Sequence, residues 1–330
     1  MPLSTRPFGH AGRDVTAIGF GAWAIGGSWG DVSEADAKAT IHAALDSGVT
    51  FLDTADVYGD GRSERLIRDV LAERGGPRPF VATKAGRRLS PHVAEAYTGA
   101  ALEAFIDRSR ANLGMDCLDL VQLHCPPTEV FYRAEVFDAL EDMKARGKIA
   151  AYGVSVEKVE EALKAIEFPG LTSVQIIYNI FRQRPERLFF PEAQRRGVAV
   201  IARVPLASGL LTGKMTAAST FAADDHRNYN RHGESFDMGE TFSGVPFDVA
   251  LEAVEAIRPL VPQGATMAQV ALRWILMKQA VTVVIPGARR PDQALANAGS
   301  DALAPLSDET MVALRDLYEE KIAPHVHHRW

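Results

Sequence analysis

Cysteine is scarce in this sequence, which has only Cys117 and Cys125 among its 330 residues. Two cysteines in a chain of this length do not make a disulfide framework, so a small disulfide-stabilised fold is excluded. Both cysteines lie beside one apolar segment, and we expect them to be buried thiols. Because the N-terminal segment also lacks the apolar core of a secretory signal, we expect a cytoplasmic protein.

Long apolar runs and clusters of basic residues are also missing. No apolar run reaches the ~20 residues that a membrane helix needs. The formal net charge is −6, and the pair Arg289 and Arg290 is too short to form a basic stripe. Cysteines and histidines at zinc-ligand spacing are absent, and His325 to His328 are expected to form a solvated tail. We therefore expect no membrane span, no nucleic-acid partner and no metal site.

Eight short apolar segments alternate with helix-like segments along the chain. Near-continuous apolar strands are typical of a sheet that is buried on both faces, and intervening helices favour parallel strands. Eight such units favour a closed (β/α)8 barrel, or TIM barrel, over a doubly wound open sheet. We predict one domain, 1–330, with a short N-terminal hairpin around His10–Asp14 and a C-terminal helical tail. The predicted strands, in order, are VTAIGFG, TFLD, FVATK, LDLVQLH, IAAYGVS, SVQIIY, VAVIARVPL and TVVIPG.

The stretch 212–244 interrupts this alternation. It has no helical period and is rich in His, Arg, Asn, Asp and Gly. A loop of ~30 residues is uncommon inside one domain unless it has a function. Since it follows the seventh strand, it is predicted to lie at the barrel mouth as a candidate lid. Its aromatic residues, which are candidates to cover a substrate, are Phe221, Tyr229, Phe236 and Phe242.

Polar residues that can transfer or orient protons stand at the ends of three consecutive predicted strands. The second strand ends at Asp53, with Tyr58 in the following turn, and the third and fourth strands end at Lys84 and His124. A parallel barrel gathers the carboxyl ends of its strands at one mouth. A carboxylate, a phenol, an ammonium and an imidazole are therefore expected to share one pocket.

These four side chains suit proton transfer to a carbonyl oxygen. The free pKa of a phenol is ~10, and the ammonium of Lys84 is expected to lower that of Tyr58. Asp53 would neutralise the buried ammonium, and His124 would hydrogen-bond the substrate oxygen. Taken singly, these residues are also compatible with a turn cap, loop packing and core packing, so the prediction depends on finding all four together. None of them can reduce a substrate, so a hydride must come from a cofactor.

Two further motifs point to other folds but lack a necessary part. Gly19 to Ala24 match a loose dinucleotide-binding pattern, yet no helix opens directly after them. Ser155 stands in a sequence like a nucleophile elbow, with Glu157 where glycine is needed. We therefore expect neither a Rossmann domain nor a serine hydrolase.

A series of longer motifs runs through the sequence in order: GFGAW, FLDTADVYG, VATKAG, LDLVQLHCP, RGKIAAYGVS, VQIIYN, PLASGLLTGK and IPGARR. In these motifs the sequence resembles the aldo-keto reductase family over nearly its whole length. The resemblance implies a (β/α)8 barrel that binds NADPH extended across its mouth. It also implies that Tyr58 is the general acid, that Lys84 with Asp53 tunes it, and that His124 orients the substrate carbonyl.

The resemblance also implies a cofactor site along the mouth. Ser155 and Gln175 would hydrogen-bond the nicotinamide carboxamide, and Arg203 would stack on the ring in place of the aromatic residue of many relatives. Lys214 would add positive charge at the pyrophosphate, and Arg289 would bind a 2′-phosphate, which favours NADPH/NADP+ over NADH. The implied cofactor residues are Gly21, Ala22, Trp23, Asp53, Ser155, Gln175, Arg203, Pro205, Leu206, Ser208, Gly209, Leu210, Lys214, Pro286, Gly287, Ala288, Arg289, Gln293 and Asn297.

The substrate pocket is less well defined by the sequence. Trp23 and Trp29 flank the first strand–helix loop and are candidates for its apolar walls, beside Tyr58 and His124; half-buried packing is the alternative. One departure from the family pattern is Val156, where many relatives carry asparagine after the serine. One contact to the carboxamide is therefore expected to be missing.

Three functions agree with these features to different degrees. The favoured one is an NADP(H)-dependent oxidoreductase that reduces aldehyde or ketone carbonyls to alcohols and runs reversibly. An alternative is a nicotinamide-binding regulatory subunit resembling the β subunits of voltage-gated potassium channels, although no extension for partner docking is recognisable. A third is a barrel hydrolase or lyase that uses Asp53 and His124 without nicotinamide. The sequence leaves the physiological substrate open, and it is compatible with an oligomer.

Overall fold

Eight parallel strands form the central sheet of the structure, a computed structural model that describes residues 2–26 and 32–330. Each strand pairs with the next one along the chain, and isolated bridges join Ile18 to Val284 and Gly21 to Gly287. These bridges bring the last strand beside the first and close the barrel, which confirms the predicted fold class. The barrel strands are β3 (Phe20–Gly21), β4 (Phe51–Asp53), β5 (Phe80–Ala85), β6 (Leu120–His124), β7 (Tyr152–Val156), β8 (Ser173–Ile177), β9 (Ala199–Arg203) and β10 (Val281–Val284).

Helices surround this barrel and cover the outer faces of its strands. Several begin at a residue whose side chain accepts a backbone N–H, such as Ser33 and Thr98, and Thr266 forms a capping box with Gln269. The helices in the described residues are α1 (Trp23–Gly26), α2 (Glu34–Asp46), α3 (Arg62–Glu73), α4 (Gly99–Leu113), α5 (Ala134–Ala145), α6 (Val159–Ala165), α7 (Phe189–Arg195), α8 (His226–Tyr229), α9 (Phe247–Ile257), α10 (Met267–Leu276), α11 (Pro291–Ala298), α12 (Asp308–Leu317) and α13 (Ala323–Val326), with a π-helical turn at Tyr318–Ile322.

The predicted N-terminal hairpin is present and closes the bottom of the barrel. Its strands are β1 (Thr5–Pro7) and β2 (Asp14–Thr16), which pair antiparallel. The prediction that VTAIGFG forms one core strand is therefore wrong, because its first residues belong to the hairpin and only its end belongs to the barrel. The run is divided because Val15 and Thr16 pair with β1. At the tip of the hairpin, the Phe8 ring packs 5.3 Å from that of Phe51 and 4.9 Å from that of Phe80, inside the barrel. The hairpin thus fills the amino-terminal end and leaves the carboxyl end as the mouth.

The stretch 212–244, called the mouth segment below, follows β9 and has little regular structure. It contains α8 and short 3-10 turns at Met238–Glu240 and Phe242–Gly244. Ser208 binds the mouth segment to the barrel, because the Ser208 hydroxyl donates to Glu240 O at 3.0 Å and accepts from Phe242 N at 3.0 Å. The position of the segment at the mouth agrees with the sequence analysis, and its role as a lid stays a prediction.

The C-terminal tail is helical, as predicted, but it is packed rather than solvated. Val326 and Trp330 are almost fully buried, and Tyr318 Oη is 2.8 Å from His327 Nδ1. Trp330 lies against the guanidinium of Arg182 at 4.1 Å and donates from its indole to Asp237 in the mouth segment. The expectation of a solvated tail at His325 to His328 is therefore wrong in part: His328 is exposed, but Val326 between the histidines is buried, and Trp330 beyond them packs against the barrel. Across residues 2–26 and 32–330, no helix combines the length and the apolar character needed to cross a membrane.

Candidate active site

The four residues predicted to handle protons meet at the carboxyl ends of β4, β5 and β6. Asp53 and His124 end their strands, Lys84 lies near the end of β5, and Tyr58 lies in the turn after β4. Lys84 Nζ hydrogen-bonds to Asp53 Oδ1 and is 3.2 Å from Tyr58 Oη. The rings of Tyr58 and His124 are 6.0 Å apart and nearly perpendicular. The structure thus brings all four into one group, called the proton-transfer cluster below.

Asp53 and Lys84 form a buried ion pair at the floor of this cluster. They are 2% and 1% exposed. Asp53 Oδ2 also accepts a hydrogen bond from Gln175 Nε2 at 2.7 Å, and Lys84 Nζ donates to Thr54 O at 2.9 Å. Burial acts to lower the pKa of Lys84, but Asp53 and Tyr58 outweigh it and raise that pKa above its ordinary value. The ammonium therefore stays charged at neutral pH.

Tyr58 keeps its proton in this environment. Burial of the hydroxyl raises its pKa, and the ammonium of Lys84 opposes that shift without reversing it. The expected net lowering of the phenol pKa is therefore wrong for the protein without ligands, because desolvation exceeds the effect of one ammonium that Asp53 already neutralises. A protonated phenol is nevertheless the form that a general acid needs.

His124 is neutral at neutral pH. Burial lowers the pKa of its imidazole well below the ordinary value, and the nearby cations Arg87 and Lys84 add to this effect. Its Nδ1 atom has no hydrogen-bond partner among the described residues. A neutral imidazole beside the phenol can therefore donate one N–H to an oxygen without adding a charge.

Close backbone packing fixes the position of Tyr58. A Cβ atom at Gly26 would lie 2.8 Å from Tyr58 Cβ, so only glycine allows α1 to approach this closely. The Trp23 ring stacks on that of Tyr58 at 6.2 Å and meets the rings of His226 at 4.9 Å and Phe236 at 6.2 Å. An apolar wall is thus built jointly by α1 and the mouth segment. The other predicted wall residue, Trp29, lies outside the described residues.

The proton-transfer cluster lies at one end of a cleft with a volume of about 540 Å³ across the mouth. Three residues of the predicted cofactor site do not line it: Ala22, Leu210 and Pro286 are buried behind its wall. Ala22 N donates to Asp53 O, and Pro286 O accepts from Gly21 N, so these two hold lining residues in place. The predicted residues that do line the cleft are Gly21, Trp23, Asp53, Tyr58, His124, Ser155, Gln175, Arg203, Pro205, Leu206, Ser208, Gly209, Lys214, Gly287, Ala288, Arg289, Gln293 and Asn297.

The cleft has uncharged amide and hydroxyl groups near the cluster. Ser155 and Gln175 are each 1% exposed and lie opposite each other in the β7–β8 pairing. The Gln175 amide is already bonded to Asp53, so this residue connects the proton-transfer cluster to the neighbouring wall. Val156 is fully buried in the core, and its carbonyl accepts from Arg203 Nη2 at 3.1 Å. Position 156 thus offers the cleft no side-chain amide.

Away from the proton-transfer cluster, the cleft is lined by four cationic side chains and by the carboxylate of Asp292, which pairs with Arg290. Lys214 and Arg289 line it together with Arg227 and Arg290, which the sequence analysis did not assign to the site. The helix α11 begins just after these arginines, and Gln293 within it accepts from the backbone N–H of Arg289 at 2.8 Å. Cationic side chains at a helix N-terminus suit an anionic group such as a phosphate.

Sequence reasoning placed Arg203 in the cofactor site but missed its three charged neighbours, Arg87, Glu157 and Glu240, of which Glu240 also lines the cleft. Arg203 pairs with Glu157 at 2.9 Å and with Glu240 at 3.5 Å, and Arg87 pairs with Glu240 at 3.2 Å. Arg87 and Glu157 follow strand ends, so the rule that located the proton-transfer cluster would have found them. Glu240 belongs to the irregular mouth segment, and no sequence pattern indicated where its side chain lies.

Asp56 is a buried carboxyl group that the proton-transfer cluster does not use. It is fully buried in the turn between Asp53 and Tyr58, and neither carboxylate oxygen makes a hydrogen bond of ordinary geometry within the described residues. Burial raises its pKa to about 7, the nearby Glu64 adds to the shift, and Arg88 opposes it. Its deprotonation at higher pH must therefore cost stability.

We expect Asp56→Asn to change how stability depends on pH. The folded pKa lies above the unfolded value of ~3.9, so the folded state binds more protons between about pH 4 and pH 7, and the stability of the natural protein falls across that window. The asparagine cannot ionise, so the variant does not lose this stability. The free energy of unfolding of the variant, relative to that of the natural protein, should therefore rise by up to about 4 kcal/mol as pH rises from 4 to 7. Urea denaturation at several pH values measures this, with the exposed Asp224→Asn as control. If the difference in stability between Asp56→Asn and the natural protein stayed constant with pH, the prediction would be wrong.

The barrel and the cluster at its mouth define a class of oxidoreductases, and the comparison with known proteins identifies the family. Residues 17–319 match the model of the aldo/keto reductase family. Because this match covers most of the chain, the chain belongs to the aldo/keto reductase family, as the sequence motifs predicted.

Individual relatives agree with this assignment. The chain is 32% identical over 291 residues to the aldo-keto reductase YhdN of Bacillus subtilis, which covers 86% of this chain and 84% of the relative. It is 27% identical over 323 residues to the aldo-keto reductase yakc [NADP(+)] of Schizosaccharomyces pombe, covering 96% and 92%. The solved structure of the glycerol dehydrogenase AKR11B4 from Gluconobacter oxydans matches with a TM-score of 0.79 and 29% identity, over 99% of this chain and 97% of that one.

Proposed function

We propose that this protein is an NADP(H)-dependent oxidoreductase that interconverts aldehyde or ketone carbonyls and alcohols. The observation that carries the proposal is the hydrogen-bonded contact of Lys84 with both Asp53 and Tyr58, beside a neutral His124, at the end of a long cleft. This arrangement holds a phenol proton beside an ammonium that can stabilise the resulting phenolate, together with a neutral donor, as the reduction of a carbonyl requires.

Each residue of the proton-transfer cluster has a defined role in this reaction. The protonated hydroxyl of Tyr58 donates its proton to the carbonyl oxygen as negative charge develops there. His124 donates an N–H to the same oxygen and orients the carbonyl. The ammonium of Lys84 stabilises the phenolate that Tyr58 becomes, and Asp53 holds that ammonium in place. In alcohol oxidation the same groups act in reverse, with the phenolate accepting the proton.

Two sets of residues that line the cleft support the proposed cofactor. The cofactor would supply the hydride, which none of the four residues can provide. At one end the cleft offers Ser155 and Gln175 to a carboxamide, and at the other it offers Lys214 and Arg289 to phosphates. Arg289 at the start of α11 favours NADP(H), and the printed name of the Schizosaccharomyces pombe relative, which specifies NADP(+), supports the same choice.

The direct test is a turnover assay with the purified protein and no added partner. We expect NADPH absorbance to fall when a reactive aldehyde is added and to rise when NADP+ is offered with a suitable alcohol. A panel of aldehydes, ketones and sugar alcohols, run with both nicotinamide cofactors, would also define the substrate class. Binding of NADPH without turnover of any carbonyl would favour the regulatory-subunit alternative, and absence of any nicotinamide binding would favour the hydrolase or lyase alternative.

A further inference from the structure

A second group of charged side chains lies beside the proton-transfer cluster and takes no part in its proton transfer. It consists of Arg87 after β5, Glu157 after β7, Arg203 at the end of β9 and Glu240 in the mouth segment, and is called the charge cluster below. The side chains of Glu157, Arg203 and Glu240 are 13%, 9% and 8% exposed. Ion pairs shielded this well from solvent are screened little by salt, so their charges act strongly on nearby groups.

Two carboxyl groups meet inside this cluster. Carboxylate oxygens of Glu157 and Glu240 lie within 4.8 Å of each other and of Cys125 Sγ. These three groups have the donors of a metal site, but Arg203 Nη2 already lies 3.6 Å from the sulfur and 2.9 Å from Glu157 Oε2. Burial also raises the pKa of the Cys125 thiol, which disfavours the thiolate that a metal needs. The guanidinium supplies the positive charge here.

The carboxyl pair holds a proton near neutral pH. Burial raises the pKa of Glu157 to about 8; Arg203 opposes this shift, and the nearby Glu240 adds to it. With one proton on the carboxyl pair, the cluster has two positive guanidinium groups and one negative carboxylate, so its net charge is +1. Loss of that proton makes the cluster neutral. The other charged or titratable groups that act on the pair are Tyr58 after β4, Cys125 after β6, Arg182 after β8, and His226, Tyr229 and Asp237 of the mouth segment.

The charge cluster borders the place where hydride transfer must occur. Arg203 and Glu240 line the same cleft as Tyr58 and His124. A hydride donor has to come within roughly 3–3.5 Å of the carbonyl that those two residues hold. In the proposed reduction a bound nicotinamide would supply the hydride to the carbonyl carbon, Tyr58 would supply the proton to the oxygen, and the oxidised ring would carry one more positive charge. The two cluster residues that line the cleft, Arg203 and Glu240, would therefore lie on the same cleft as a group whose charge differs between its two redox states.

We propose that the Glu157–Glu240 carboxyl pair couples the preference for oxidised or reduced cofactor to pH, by holding its proton less tightly when NADP+ binds than when NADPH binds. The inference rests on the proposed function, because it needs a nicotinamide cofactor in the cleft. At neutral pH the net positive charge of the cluster disfavours the cationic ring and favours the reduced one. At alkaline pH the neutralised cluster accepts the cationic ring, which favours alcohol oxidation.

The ratio of the dissociation constants for NADP+ and NADPH tests this coupling. Both constants can be measured by quenching of tryptophan fluorescence between about pH 6.5 and pH 9.5, a window that brackets the titration of the pair. In the natural protein we expect the ratio to fall by about 3- to 10-fold as pH rises, the size expected for one partly buried charge near the ring. The phosphates of the cofactor titrate equally in both forms, so their effect cancels in the ratio.

Two variants test whether the carboxyl pair causes the pH dependence of this ratio. Glu157→Gln cannot release the proton, so its ratio should stay at the neutral-pH value throughout. Glu160→Gln is the matched control, because Glu160 pairs with Arg184 on the surface outside the cleft; it should follow the natural protein. A full pH dependence in Glu157→Gln, with both cofactors bound, would overturn the coupling and leave the proposed function intact.

The coupling can also be tested on the natural protein alone, so the test does not depend on whether Glu157→Gln folds. Calorimetric titration in two buffers of different ionisation enthalpy counts the protons released on binding. We expect NADP+ to release more protons than NADPH near neutral pH, and equal release would overturn the inference. If neither cofactor binds the natural protein, the proposed function itself fails, which is a distinct result.

Discussion

Replacing Tyr58 with phenylalanine is expected to lower turnover of a reactive aldehyde by about 10²–10⁴-fold, the usual contribution of a positioned general acid. The substitution removes the only atom of Tyr58 that can protonate the carbonyl oxygen and leaves the ring that packs on Trp23 and lies beneath the ammonium of Lys84. Cofactor affinity should change little, because the hydroxyl serves the substrate. Turnover number and the dissociation constant for NADPH are the two quantities to compare.

The control for this variant is Tyr132→Phe, because Tyr132 is 70% exposed on the outer surface, away from the cleft. It should retain full activity. Undiminished turnover in Tyr58→Phe would remove the phenol from the mechanism, whereas loss of NADPH binding in that variant would show a structural role instead. A parallel loss of turnover number and of turnover number over KM is the result that places the hydroxyl in the transition state.

The barrel and its proton-transfer cluster were predictable because both follow from strand pattern. A strand buried on both faces leaves a nearly continuous apolar run, and the residue that ends the run lies at the mouth. Asp53, Lys84 and His124 follow this rule. Glu157 lies directly after β7 and Arg87 two residues after β5, so the same pattern extended just past the strand ends also locates these two residues.

Other features depend on contacts between segments that the local sequence does not encode. The first apolar run was expected to be one strand, yet Phe8 and Val15 turn its beginning into a plug at the barrel bottom. The position of Glu240 depends on the path of the mouth segment, which has no periodic pattern. The pKa of Tyr58 depends on a balance between desolvation and one ammonium, and sequence gives the groups without their burial.

Lys84→Met is expected to lower the free energy of unfolding by about 3–5 kcal/mol, because it leaves the carboxylate of Asp53 buried without its counter-charge. Lys84 and Asp53 are almost completely shielded from water, and the two glutamine amides that bond to Asp53 Oδ2 cannot supply a full positive charge. Urea denaturation measures the effect. Lys321→Met is the control, since its partner Glu252 is exposed and such surface pairs contribute about 1 kcal/mol or less.

The double variant Asp53→Asn with Lys84→Met distinguishes an unpaired buried charge from simple loss of packing. It removes both charges and keeps similar volumes, so it should regain most of the stability that Lys84→Met loses, since neutral replacement of a buried ion pair is often tolerated. It should not regain turnover, because Tyr58 would still lack the ammonium that stabilises its phenolate. A double variant as unstable as Lys84→Met would show that packing dominates at this site. Recovery of stability without recovery of turnover would mean that the ion pair is retained for proton transfer, since the fold does not need it.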